Sequence, residues 1–155
     1  NYIESVAGIK IADPTKAAEA SWILQSAQEL FAPLNPTVNF AVGDDFETKR
    51  LAMRPDLESR FSDFERYLNK YDGKYFIDEI PRAAEFALFH HLDLSKKLDP
   101  DLLSNFPRLL QFIADVEGIT AISEYLQTRP ELVNIGVEPN LIINGTAHPT
   151  GLQKT

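Results

Sequence analysis

The stretch from Asn105 to Pro130 constrains this chain most, because it spells two short helices with their punctuation in place. Phe106-Pro107 opens the first, with proline at a position where a missing backbone N–H is harmless. Leu109, Phe112, Ile113 and Val116 recur at three- and four-residue spacings, the mark of one apolar helix face. Gly118 is expected to stop that helix in the left-handed conformation that glycine adopts freely. Thr120 is expected to cap the second helix, with Ile122, Tyr125 and Leu126 as its buried stripe. Pro130 forbids continuation.

The same periodicity runs upstream. Asp13-Pro14 supplies a cap and a first-turn proline. Ala20, Ile23, Leu24, Ala27, Leu30, Phe31 and Leu34 then form a core-facing stripe, which predicts a helix over 14–33 ended or kinked by Pro33 and Pro36. Residues 35–45 read as a loop or a bent continuation. A second long helix is predicted over 46–71, with a kink or short break at Pro55 and a stripe of Leu57, Phe61, Phe64, Leu68 and Tyr71. Asp72-Gly73 ends it, and Lys74-Tyr75-Phe76-Ile77 reads as an apolar plug under a loop. A third helix over 83–97 carries Ala83, Ala84, Phe86, Leu88, Phe89, Leu92 and Leu94, and so belongs at the centre. Asp99-Pro100 predicts one further short helix through Leu103. No stretch alternates convincingly, so the predicted fold is an all-α bundle with an irregular C-terminal tail. The expected organisation is 1–12 as the remnant of a preceding helix and linker, 13–130 as the helical domain, and 131–155 as an extended tail.

Charge and composition narrow the function. With 15 basic against 23 acidic residues the net charge is −8, which disfavours nucleic acid and anionic membranes. No apolar run reaches the length of a bilayer span. The absence of cysteine excludes disulfides, thiolate metal sites and a cysteine nucleophile, and suits an intracellular, reducing compartment of unassigned organelle.

With these elements in place, the chain resembles the C-terminal helical domain of glutathione transferases, most closely the mu and sigma-like members. The likeness rests on Leu92-Asp93, Phe106-Pro107-Arg108-Leu109, Phe112-Ile113, Val116-Glu117-Gly118, Ile122, Tyr125-Leu126 and Arg129-Pro130. Lys74-Tyr75-Phe76 and Asp45-Phe46-Glu47 add to it, and it covers roughly residues 13 to 135. The fold-defining positions are Glu85, Phe106, Pro107, Gly118 and Tyr125. The resemblance implies a preceding thioredoxin-like domain that supplies the glutathione site; residues 1–8 look like its end. It also exposes departures. Arg82 stands where the family places a Ser/Thr cap, with Glu85 at the acidic partner position of the capping box. Ser21, Leu24 and Gln25 stand where acidic residues face a partner's glutathione, and Val42 falls near the family's assisting tyrosine.

Other clusters are weak. His90-His91 with Asp93 offers metal-ligand types, but neighbouring helical side chains point about 100° apart. Asn144-Gly145-Thr146 is a glycosylation sequon, and Asp44-Asp45 and Asp99–Asp101 are turn or cap residues before they are cation ligands. Catalytic, cofactor-binding and metal residues are therefore expected to be none. Trp22, off the main stripe of its helix, and the apolar tail residues Leu141, Ile142 and Ile143 are the candidate interaction residues. The expected function is a non-catalytic helical domain acting as an interaction or structural subunit, in a multi-subunit assembly or a homodimer. The alternative is the C-terminal half of an active transferase, with glutathione as a ligand only under that reading. A carrier of small apolar ligands is a third, weaker option.

Overall fold

The computed structural model describes residues 6, 8–71 and 73–151. The expected helix end before Gly8 and the Asp72 stop fall largely outside the described residues. Helix α1 spans Pro14–Gln28, and the Asp13 carboxylate accepts from the amides of Thr15 at 2.8 Å and Lys16 at 3.2 Å. The chain turns at Glu29 and Leu30 and enters α2, Phe31–Phe40. Residues 35–40 are thus the bent helical continuation rather than the loop. Pro33 lies in the first turn, where its missing N–H is harmless, and burial of Leu34, Thr37 and Val38 holds the helix through Pro36.

Helix α3, Gly43–Asn69, begins earlier than predicted and runs unbroken through Pro55. Ion pairs from Arg50 and Arg54 to the buried Asp99 hold the turns around the proline, at 3.1 and 2.8 Å. Leu57, Phe61, Phe64 and Leu68 are buried, as the stripe requires. Tyr75, Phe76 and Ile77 form the apolar plug, Phe76 packing against Phe64 and Phe112.

Helix α4, Ala83–Leu98, is the central element and packs on α1 and α2. It is not apolar all round: Phe86 is 38% exposed, while Leu88 and Leu92 are fully buried. The predicted helix after Asp99 is instead a run of turns, closed by Leu102 N–H to Asp99 O and Phe106 N–H to Leu103 O. Helix α5 is Pro107–Glu117, and α6 is Thr120–Thr128. Gly118 ends α5 at φ −72°, in the right-handed region, its N–H bonding Ala114 O; it needs no left-handed turn. Ile119, not Thr120, is the cap residue of α6. Tyr125 lies 58% exposed rather than in the buried stripe, which is carried by partly buried Ile122 and Leu126.

The tail departs from expectation. Strands β1 (Glu131–Val133), β2 (Asn140–Ile143) and β3 (Thr146–Pro149) make a small antiparallel sheet in the order β1-β2-β3. Asn144-Gly145, with φ of 50° and 78°, is the two-residue turn between β2 and β3. The protein is a helical bundle with this sheet attached, and the sheet folds back against α2 and α3. Gly136 O accepts from Gly43 N–H at 2.7 Å, and the Thr150 hydroxyl donates to Asn39 O. Gly136 sits so close to Phe46 that a Cβ there would lie 2.6 Å from the ring.

Candidate functional site

Trp22 and Tyr67 meet across the α1–α3 groove, ring centroids 4.8 Å apart. Trp22 sits at an outward position of α1 and remains 47% exposed. Below it lies a cavity of about 170 Å³ lined by Trp22, Ser26, Glu29, Arg60, Asp63 and Phe64. Arg60 is fixed there by donating to Asp56 at 2.9 Å and to Glu29 at 3.0 Å; these hydrogen bonds to carboxylates raise its pKa above the ordinary value. On the other flank Lys70 lies over the Tyr67 and Tyr71 rings, and the Tyr71 hydroxyl donates to Glu19 at 2.9 Å. Burial and the Glu19 contact push the Tyr71 hydroxyl up. The arrangement is an exposed aromatic pair with ionic rims.

The buried charged groups near the bundle's centre are committed to holding helix ends. Glu85 reaches back from the first turn of α4: Oε2 accepts from Arg82 N–H at 2.9 Å, and Oε1 from Phe76 N–H at 3.1 Å. Burial raises its pKa, against the pull of those amides. Arg82 cannot accept a capping bond. Its guanidinium is buried and instead donates to Asp78 at 2.7 Å and to Ile9 O, tying the linker before α1 to the start of α4. The sequence reading missed this role of Arg82. An Asp four residues before a buried Arg was the available hint.

Glu65 caps α5 from a distance, and Arg108 donates to Gly73 O and Lys74 O. Phe106 is buried edge-on against Phe61 at 5.8 Å. His91 is buried with Nδ1 unpartnered, and burial, then the charge of His90, lowers its pKa to about 4. His90 is exposed, the two rings 5.1 Å apart. No cluster of metal-ligand types occurs among the described residues. Asp44 and Asp45 lie in the first turn of α3, while Asp99 receives Arg50 and Arg54.

The remaining sequence candidates are scattered. Ser21 and Leu24 line a cleft of about 100 Å³ with Lys10, Ile11, Ala83 and Ala84, whereas Gln25 is exposed. Val42 sits at the α2–α3 junction, 44% exposed and bridged to Gly136. Leu141 and Ile142 are partly buried within β2, and Ile143 is 37% exposed. The tail candidates are therefore distant in sequence and in element from the Trp22 platform.

Residues 34–129, more than half the chain, match the family model for the glutathione S-transferase C-terminal domain. The chain belongs to that family. Over 94 residues it is 27% identical to glutathione S-transferase Mu 4 of Homo sapiens and 29% identical to the Rattus norvegicus protein of that name. Each match covers 61% of this chain and 42% of the relative. Over 70 residues it is 33% identical to a glutathione S-transferase of Plasmodium yoelii yoelii, covering 45% of this chain and 34% of that protein. Among solved structures it is similar to NaGST-2, with TM-score 0.73 and 20% identity over 84% of this chain and 65% of that one. The glutathione S-transferase Blo t 8 superposes with TM-score 0.70 at 16% identity, covering 81% and 59%. At these identities the structural likeness shows the fold alone. The chain spans less than half the length of the curated relatives it matches. No helix among the described residues is long and apolar enough to cross a membrane.

Proposed function

We propose that this chain is a non-catalytic helical domain of the glutathione transferase family that works by contact with another protein chain, its own copy being the minimal partner. The observation that carries this reading is Trp22, half-exposed and packed against Tyr67 between ionic rims. Large aromatics of this kind are the usual anchors of protein interfaces. Two further points support it. Glu65, Glu85 and Asp99 are each engaged by helix amides or arginines, and Val42 has no hydroxyl to give at the position of the family's tyrosine. The reading requires no cofactor and no metal, and the cysteine-free composition suits a reducing intracellular compartment. Sedimentation velocity over a range of concentrations tests it. Reversible self-association, weakened by Trp22→Ser, is expected. A strict monomer indifferent to Trp22→Ser contradicts it.

The second reading is the helical half of a working transferase, and the mu-class relatives favour it. There this domain supplies the electrophile-side wall, while a thioredoxin-like domain holds glutathione and activates its thiol.

A further inference from the structure

We propose that Asn144 is a site of spontaneous deamidation, and that its conversion to isoaspartate releases β3 and loosens the C-terminal fold-back. Asn144 and Gly145 form the exposed tip of the β2–β3 hairpin, both at positive φ. This is the pair that a two-residue turn of this type prefers. The ladder closes at Ile143 and Thr146, so the Gly145 amide lies at the tip, outside it. The chain has eight asparagines, and only Asn144 precedes glycine; the other seven precede larger residues or proline.

The chemistry needs only water. The Gly145 nitrogen, having lost its proton to hydroxide, attacks Cγ of the Asn144 side chain. The bond from Cγ to the side-chain nitrogen breaks, and ammonia leaves with a proton from water, closing a five-membered succinimide. Water then opens the ring. Attack at Cγ gives aspartate, and attack at the main-chain carbonyl gives isoaspartate. The sum is one side-chain amide plus water giving one carboxylic acid plus ammonia. Glycine matters because it has no Cβ to block the nitrogen's approach. Asn144 must leave its left-handed well to react, and loop tips make such local openings cheaply.

The consequence follows from the turn. Isoaspartate adds one methylene to the main chain and one negative charge. A two-residue turn fixes the strand register, so the Leu141–His148 and Ile142–Ala147 pairings lose their alignment. Strand β3 is exposed throughout and has no burial to hold it once the ladder slips. Directly after it, the Thr150 hydroxyl donates to Asn39 O and Pro139 O, the tie between tail and α2.

The test ages the full chain in mildly alkaline buffer, with peptide mapping by mass spectrometry and enzymatic isoaspartate methylation as the probe. Conversion at Asn144 should run roughly tenfold or more ahead of any other asparagine, since only glycine leaves the nitrogen unhindered. Protease protection of residues 131–149 should fall in step. Asn144→Gly keeps the turn and removes the amide, and should retain full protection on ageing. Asn144→Asp adds the charge without the methylene, and should be as protected as the parent when both are fresh. An unmodified Asn144, under conditions that convert an Ile-Ile-Asn-Gly-Thr-Ala peptide, would overturn the proposal. So would conversion that leaves protection unchanged.

Discussion

Glu65 on α3 closes onto the amide of Leu109 at the start of α5: Oε2 accepts at 2.8 Å, while Oε1 takes the neighbouring Arg108 amide at 2.9 Å. The cap residue itself, Phe106, has no side-chain acceptor, so α5 borrows its cap from a residue 44 positions earlier. Glu65→Ala should lower stability by about 1–2 kcal/mol, the range for losing a helix cap. Glu65→Gln should cost less, because one acceptor survives. Urea midpoints at unchanged slope check this, and an Ala variant as stable as the parent contradicts it.

Arg82→Ser should destabilise the protein, although it places a good capping residue at the start of α4. Serine at a cap position ordinarily stabilises by about 1 kcal/mol. Here the substitution removes a buried guanidinium that binds Asp78 and Ile9 O, leaving that carbonyl unsatisfied. A net loss of about 1–3 kcal/mol is expected. The acid side should change too. Burial pushes the Asp78 carboxyl up, but hydrogen bonds from Arg82 and the Ile80 amide, with the Arg82 charge, hold it below its ordinary value. Stability from that pair is present above the unfolded carboxylate pKa and lost as pH falls through the lower folded value. The Arg82→Ser variant should lack this slope, and its persistence would contradict the assignment.

His91 governs a different pH window. Its folded pKa of about 4 lies below the ordinary 6.5, so the unfolded chain binds a proton that the folded chain resists. Stability should therefore fall as pH drops from 6.5 towards 4, by on the order of 3 kcal/mol in total. Thermal melts of His91→Leu across that range should show a flatter dependence than the parent. Parallel pH profiles would contradict it.

Gly136→Ala should detach the tail. Gly136 has φ of 78°, where an L side chain costs about 1–2 kcal/mol, and the added Cβ would strike the buried Phe46 ring. Faster proteolysis of residues 131–149 with the helical signal retained is the expected result; unchanged protection would contradict it.

What could be read from sequence follows the length of the signal. Leu57, Phe61, Phe64 and Leu68, or Leu109, Phe112, Ile113 and Val116, each repeat one face over several turns, and every one of them is buried. Prolines misled, because Pro36 and Pro55 lie in helices that packing and ion pairs hold regardless. The sheet escaped because its strands span three or four residues, too few for alternation to register, although Asn144-Gly145 is a strong hairpin signal. At the candidate site, the exposure of Trp22 was readable from its place off the helix stripe. Its Tyr67 partner, 45 positions away, is a matter of tertiary packing. The role of Arg82 depends likewise on Ile9, 73 positions away.

The proposed non-catalytic role requires that this domain does not by itself activate glutathione. Lowering a thiol's pKa needs a donor and backbone amides aimed at sulfur, and the buried carboxylates and amides described above are turned to one another. The direct measurement is spectrophotometric conjugation of glutathione to a chloro-dinitrobenzene electrophile by the purified chain. A rate equal to that of the buffer alone is expected at every protein concentration. Saturable turnover proportional to protein would contradict it and favour the working-transferase reading.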